Sequence, residues 1–334
     1  MKIGKQSLAY QNPPHIISYA SVAGKEESAG PLGHTFDVVN SDSYWGEKTW
    51  EKAESKMQKA AFSLACQKAG LVQNRIDFLF SGDLLNQSIS STFASRESEI
   101  PHFGIYGACS TMGEGLILAS MSIATGLVET AAAITSSHFC TAERQFRFPL
   151  EYGGQRTPTS QWTVTGAGAT IVSKIGLGPK ITHVTPGKIV DLGITDANNM
   201  GAAMAPAAYD TIRQHLEDTG RTASDYDLIV TGDLGAIGHK IVSDFFQRDG
   251  KVLQNYKDCG LMIYDRKQQK MDAGASGCGC AAAVLNGYLL GELMRGKLKR
   301  ILFCPTGALL SPTSMGQGES IPSICHAVAI SMID

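Results

Sequence analysis

Ile76-Asp-Phe-Leu-Phe-Ser-Gly-Asp-Leu84 and Tyr226-Asp-Leu-Ile-Val-Thr-Gly-Asp-Leu234 are one passage written twice in the same chain. Each follows a helix-period stretch, Ala53 to Gly70 and Ala203 to Gly220, that ends on a glycine suited to a left-handed cap. The match continues beyond the strands. Gly126-Leu-Val-Glu-Thr-Ala-Ala-Ala-Ile-Thr aligns at constant offset with Gly296-Lys-Leu-Lys-Arg-Ile-Leu-Phe-Cys-Pro, so Lys52 to Pro149 and Ala203 to Ser311 are copies of one α/β unit.

Asp77-Phe-Leu-Phe and Leu228-Ile-Val are continuous apolar runs alternating with helices, which predicts largely parallel sheets covered on both faces. Ala131-Ala-Ala-Ile has poor strand propensity, but its copy Arg300-Ile-Leu-Phe is a good strand, so both are read as strands. The helix from Ser110 carries Gly113, Gly115, Ala119, Ser120, Ser122 and Ala124 and very little polar surface. Such a helix belongs in a central layer between two sheets. The halves divide as residues 1–175 and 176–334. Ligands in sheets of this kind sit beyond the carboxyl ends of the strands, which places Gly82-Asp83, Cys109, Ser136-Ser137, Gly232-Asp233 and Thr306-Gly307 around one cleft.

The 334 residues, 43% hydrophobic, suffice for a substantial core. Lysine and arginine number 29 against 31 acids, with no basic stripe, so nucleic acid is not an expected partner. No run reaches the roughly 18 apolar residues of a membrane span, and Asn12, Pro13 and Pro14 interrupt any export signal, so a soluble, intracellular chain is expected. The eight cysteines lack the spacing of a disulfide framework, and Cys278-Gly279-Cys280 is too tight for a zinc half-site. No metal is expected from the chain alone.

Cys109 precedes a helix, whose positive end would lower a thiol pKa; the alternative is an inert core cysteine. A nucleophile also needs a base. His15, His34, His183 and His215 fall in loops or on exposed helix faces, and His239 sits one turn into a helix. His138, just past a strand, reads as a hydrogen-bonding residue. Asp83 and Asp233 recur at equivalent strand ends, either as plain Asx turns or as site residues.

Ile105-Tyr-Gly-Ala-Cys-Ser-Thr-Met-Gly-Glu-Gly resembles the nucleophile segment of thiolases and type III ketoacyl carrier-protein synthases, and Thr165-Gly-Ala-Gly-Ala-Thr resembles their glycine-rich strand. The resemblance implies a duplicated thiolase-like fold of five layers, αβαβα, with two mixed, mostly parallel sheets around central helices. Longer segments, Ser81-Gly-Asp-Leu-Leu-Asn-Gln-Ser-Ile-Ser-Ser-Thr-Phe and Ser136 to Gly153, resemble the stage V sporulation AD family of spore-forming bacilli. That resemblance implies a homodimer that binds dipicolinic acid for uptake into the developing spore. It also implies association with the spore inner membrane and with SpoVA membrane channel proteins.

Departures from the enzymes point the same way. The synthase histidine position falls in Thr231-Gly-Asp-Leu-Gly-Ala-Ile-Gly, and the asparagine position in Asp272-Ala-Gly-Ala-Ser-Gly277. Two catalytic roles are vacant, so binding without catalysis is expected, against an acyltransferase or condensing enzyme acting through Cys109, or a purely structural docking subunit. A planar dianion suits a helix N-terminus lined with small residues. The expected ligand set is Asp83, Cys109, Ser110, Ser136, Ser137, His138, Gly232, Asp233, Gly277, Thr306 and Gly307. Asp83 would repel a dianion unless it is protonated, meets a hydroxyl or water at the rim, or is bridged by calcium arriving with the ligand.

Overall fold

The computed structural model describes residues 1–147 and 156–333. The end of the first copy and residues 148–153 of the sporulation-type segment lie outside the described residues.

Ten strands build two sheets of identical plan: β1 (His15–Ala23), β2 (Phe78–Gly82), β3 (His102–Gly104), β4 (Thr130–Ser137), β5 (Gly166–Ser173), β6 (Lys180–Thr185), β7 (Leu228–Gly232), β8 (Tyr256–Asp258), β9 (Arg300–Ala308) and β10 (Ala327–Ser331). The first sheet runs β3-β2-β4-β5-β1 and the second β8-β7-β9-β10-β6. In each, the first three strands are parallel and the fourth, β5 or β10, runs against its neighbours. The sheets meet through one pairing, Lys180 with His15. Strand Ser7–Ala9 extends the second sheet by pairing with β6, and Lys2–Ile3 pairs with Ser7–Ala9 in turn.

Helix α1 (Trp50–Ala69) covers the first sheet, with the short α2 (Ile89–Ser95) against β2 and β3, and α5 (Met200–Thr219) and α6 (Gly235–Arg248) cover the second. The repeated passages become matching helix-strand pairs. Gly70 and Gly220 close α1 and α5 with φ of 66° and 64°, a left-handed conformation that costs side-chain-bearing residues about 1 kcal/mol or more. Between the sheets lie α3 (Thr111–Ala124) and α7 (Cys278–Val284), which continues through a π-turn at Leu285–Leu289 into Leu290–Met294. Helix α3 packs on β2 and β4 on one side and on β9 and β10 on the other. The layers are therefore αβαβα.

Small residues make the central layer fit. A Cβ on Gly115 of α3 would stand 3.1 Å from Ala133 Cβ of β4. The poor strand former Thr130-Ala-Ala-Ala is thus where a central helix packs closely on the sheet, and burial decides its conformation. His215, read from the sequence as exposed, is buried instead. Its ring joins Tyr226 Oη at 2.6 Å and Thr185 Oγ1 at 2.7 Å, and burial lowers its pKa to about 3. It shares the inner face of α5 with Ile212 and Leu216, one turn apart.

Candidate functional site

Gly107-Ala108-Cys109 forms a sharp elbow between the chain leaving β3 and α3. Ala108 adopts φ +49°, a strained value for alanine. Ser110 Oγ donates to Gly107 O at 2.7 Å, and Thr111 Oγ1 donates to Ala108 O. Gly307 of β9 backs the elbow so closely that a Cβ there would lie 2.1 Å from Gly107 O. The elbow is held by its own hydroxyls and by a glycine from the other half. Ser110 serves the turn rather than the cleft.

Cys109 is 7% exposed. Its own N–H and that of Gly277 act to lower its pKa, as the helix-end argument requires. Burial, followed by the carboxyl of Asp233, outweighs them and pushes the thiol well above its ordinary value. The expected depression is therefore reversed. Asp233, with φ 73°, stands in the segment where a synthase carries histidine; its carboxyl is fully buried beside the Cys280 thiol and takes no well-formed hydrogen bond. Burial and Asp258 raise its pKa, favouring the protonated acid. No imidazole is hydrogen-bonded to Cys109 among the described residues.

The remaining strand-end residues turn inward. Asp83 accepts from Leu85 N at 2.8 Å and from Ser91 N and Oγ at 2.7 Å each, an Asx turn buried away from solvent. Ser136 Oγ donates to Glu54 Oε1 at 2.9 Å and accepts from Gln58 Nε2, which also reaches Ser91 Oγ and Gly82 O. Thr141 Oγ1 donates to Glu54 Oε2. Burial first, then Asp83, raises Glu54 from 4.5 to about 8, and burial raises Asp83 as well. Ser137 Oγ donates to Val164 O and accepts from Gly279 N. His138 bonds Ser43 O through Nε2 and accepts Cys140 N at Nδ1, leaving neither ring nitrogen for a ligand. Thr306 Oγ1 donates to Cys304 O, and Gly232 packs on Pro305 and Ala281.

A cavity of about 160 Å³ opens at Cys109. Of the residues singled out in the sequence, Cys109 reaches its wall; Gly277, Gly307 and Asp233 stand around the same thiol. Leu84, Ala142, Phe146, Met200, Ala308 and Leu310 supply apolar walls, while Tyr106, Glu143, Thr163, Asn198 and Ser276 bring polar atoms. Ala142, Glu143 and Phe146 come from helix α4 (Phe139–Arg147). Glu143 pairs with Arg156 at 2.6 Å, and the Arg156 guanidinium lies 4.8 Å from the Trp162 ring centre. Tyr106 and Ser276 were legible as neighbours of the elbow and of the vacant asparagine segment. Asn198 follows a long irregular stretch and carried no signal.

Among the described residues no group of three or more His, Cys, Asp or Glu side chains is arranged to hold a metal, and no helix is long and apolar enough to cross a membrane.

The family model for stage V sporulation protein AD matches residues 4–331. A stage V sporulation protein AD of Bacillus subtilis (strain 168) is 47% identical over 326 residues, covering 97% of this chain and 96% of that protein. Among solved structures, 3-oxoacyl-[acyl-carrier-protein] synthase III of Aquifex aeolicus superposes with a TM-score of 0.59 at 14% identity, over 95% of this chain and 99% of the synthase. Cerulenin-bound OleA of Xanthomonas campestris gives 0.59 at 15%, over 97% and 98%. At such identities these two likenesses describe the thiolase-like fold alone.

Proposed function

Because the chain belongs to the stage V sporulation protein AD family, we propose that it binds dipicolinic acid, pyridine-2,6-dicarboxylate, without transforming it, and so serves uptake of that acid into the developing spore. The observation that carries this reading is the pairing of a ring-sized cavity with an idle cysteine. An apolar space of about 150 Å³ accepts one benzene ring, and the space at Cys109 is about 160 Å³. The thiol is held protonated, and a buried acid stands where a base would be needed.

The pyridine ring occupies the apolar walls. Asn198, Ser276, Thr163 and Tyr106 offer hydrogen bonds to the carboxylates. Glu143 would repel a dianion if bare, but Arg156 neutralises it at the rim; calcium carried with the ligand would act in the same sense. Titration calorimetry of the purified chain with dipicolinate, with and without calcium, should give saturable heat. No saturable heat in either arm overturns the reading.

The condensing-enzyme alternative draws on the strained elbow. Incubation with a panel of acyl-CoA thioesters, followed by mass spectrometry of the Cys109 peptide, is expected to show no acyl adduct; an adduct would favour the alternative.

The working form is proposed to be a homodimer, peripheral to the spore inner membrane and handing its ligand to SpoVA channel proteins. Strand β3 is an open sheet edge, exposed throughout, with Phe103 46% exposed and Phe93 48% exposed nearby. Open apolar edges invite pairing with a second copy. Phe103→Glu should shift the chain to monomer in sedimentation velocity, and an unchanged dimer would place the contact elsewhere.

A further inference from the structure

Phe139, Ala142, Glu143 and Phe146 fall on one face of α4, three or four residues apart. That helix packs on the strand Trp162–Thr163, which pairs with Ala275–Ser276 and so sets Thr163 beside Ser276 in the cavity wall. Phe139 and Trp162 lie face to face, with 4.0 Å between ring centres. The Arg156 guanidinium stands 4.8 Å from the Trp162 ring centre and 5.2 Å from that of Phe139, within the range of cation–π attraction. Its Nη1 donates to Gln161 O at 3.2 Å and its Nη2 to Glu143 Oε1 at 2.6 Å. Two rings, a carbonyl and a carboxylate thus fix one planar fork at the cavity rim.

Charge gives this fork a further use. Among the described residues the cavity wall holds no lysine or arginine, and its acidic side chain is Glu143. A carboxylate that leaves water without donors or a cation is costly, and an arginine fork is the group that pairs with it on two bonds at once. Arg156 is the cation beside this wall. The carboxylate it grips belongs to a residue that lines the cavity, with a side chain only 12% exposed. Glu143 therefore marks the position in which a ligand carboxylate would be gripped.

We propose that Glu143 occupies, on Arg156, the place of a ligand carboxylate, and that an aromatic carboxylate entering the cavity turns Glu143 out to solvent and takes the fork for itself. Arg156 is then a binding residue, and Glu143 is a built-in competitor that lowers the apparent affinity by keeping the fork engaged. The proposal rests on the dipicolinate reading for the identity of the ligand. The exchange itself asks only for a flat carboxylate.

Calorimetry of the full chain with dipicolinate, and with isophthalate, which carries the same two carboxylates on a benzene ring, tests it. Arg156→Gln should weaken binding at least about tenfold, and Arg156→Lys, which keeps the charge but not the fork, should recover only part of that loss. Glu143→Gln should tighten binding about threefold or more. The deciding comparison adds Arg156→Gln to the Glu143→Gln variant. An anchoring Arg156 is still missed there by at least about tenfold, whereas an arginine that merely neutralises Glu143 is not missed at all. Circular dichroism checks that each variant is folded, and Arg156→Lys stands in if the glutamine variant is not. No loss on adding Arg156→Gln to Glu143→Gln, or weaker binding by Glu143→Gln alone, overturns the proposal. Dipicolinate heat that survives Arg156→Gln unchanged removes the anchor and leaves the ligand reading standing. Isophthalate heat that depends on Arg156, without any dipicolinate heat, keeps the anchor and removes that ligand. No heat with either compound overturns both.

Discussion

Replacing Ala308 with phenylalanine is expected to abolish dipicolinate binding while leaving the fold in place. Ala308 is the last residue of β9, 6% exposed, and its methyl group forms part of the cavity wall. A benzyl group grown from that position occupies the space proposed for the pyridine ring. Losing the burial of one aromatic ring removes ~3 kcal/mol, so the dissociation constant should rise at least about 100-fold. Circular dichroism and a thermal melt check that the protein remains folded. Ala142→Phe fills the same space from α4, which guards against overpacking at one site. A folded variant that binds dipicolinate with unchanged affinity would remove the cavity from the mechanism.

The second large effect concerns Glu54. Its carboxyl is fully enclosed on α1 and receives the Ser136 and Thr141 hydroxyls. The unfolded chain releases this proton near 4.5, whereas the folded chain holds it to about 8. Between those values the folded state binds more protons, so stability falls as pH rises. The contribution is complete below 4.5 and lost above about 8, on the order of 5 kcal/mol in all. Glu54→Gln keeps the shape and removes the titration. Melting curves should therefore coincide near pH 4.5 and diverge towards pH 8, with the glutamine variant the more stable. Parallel curves across that range would mean that Glu54 is not the titrating group.

Glu54→Ala should behave differently, destabilising by ~2–4 kcal/mol near pH 4.5, because it opens a cavity and leaves the Ser136 hydroxyl without its acceptor; the deficit should shrink towards pH 8, since alanine, like glutamine, has no proton to lose. Thr141 precedes Ala142 at the start of α4, so the same variant should also loosen one wall of the cavity at Cys109.

Glu54 and Gln58 also show why the site was harder to read than the fold. On α1 they are one turn apart and face inward, yet a polar residue on a helix is ordinarily a solvated one. What buries them is the polar floor formed by Asp83, Ser91 and Ser136, contributed by other elements. Asp83 posed the question of a carboxylate beside a dianion. It proves to be an enclosed turn acid whose pKa is raised, set back from the cavity wall. Strand-end position indicated a neighbourhood, but it could not say which way each side chain points. Ser110, Ser137 and Thr306 are all turned to backbone carbonyls.

By itself the sequence determined the repeated unit, its glycine caps, the small-residue central helices and the elbow at Cys109. These are local properties: a cap needs its glycine, a buried helix needs an apolar circumference, and a repeat declares itself by register. Only the tertiary structure decided the protonation of Cys109 and the shape of the cavity. Both depend on residues brought together from distant segments, Asp233 and Gly277 against the thiol and Asn198, Ser276 and Glu143 against the cavity, and on the burial that raises the pKa of a helix-end thiol instead of letting the helix lower it.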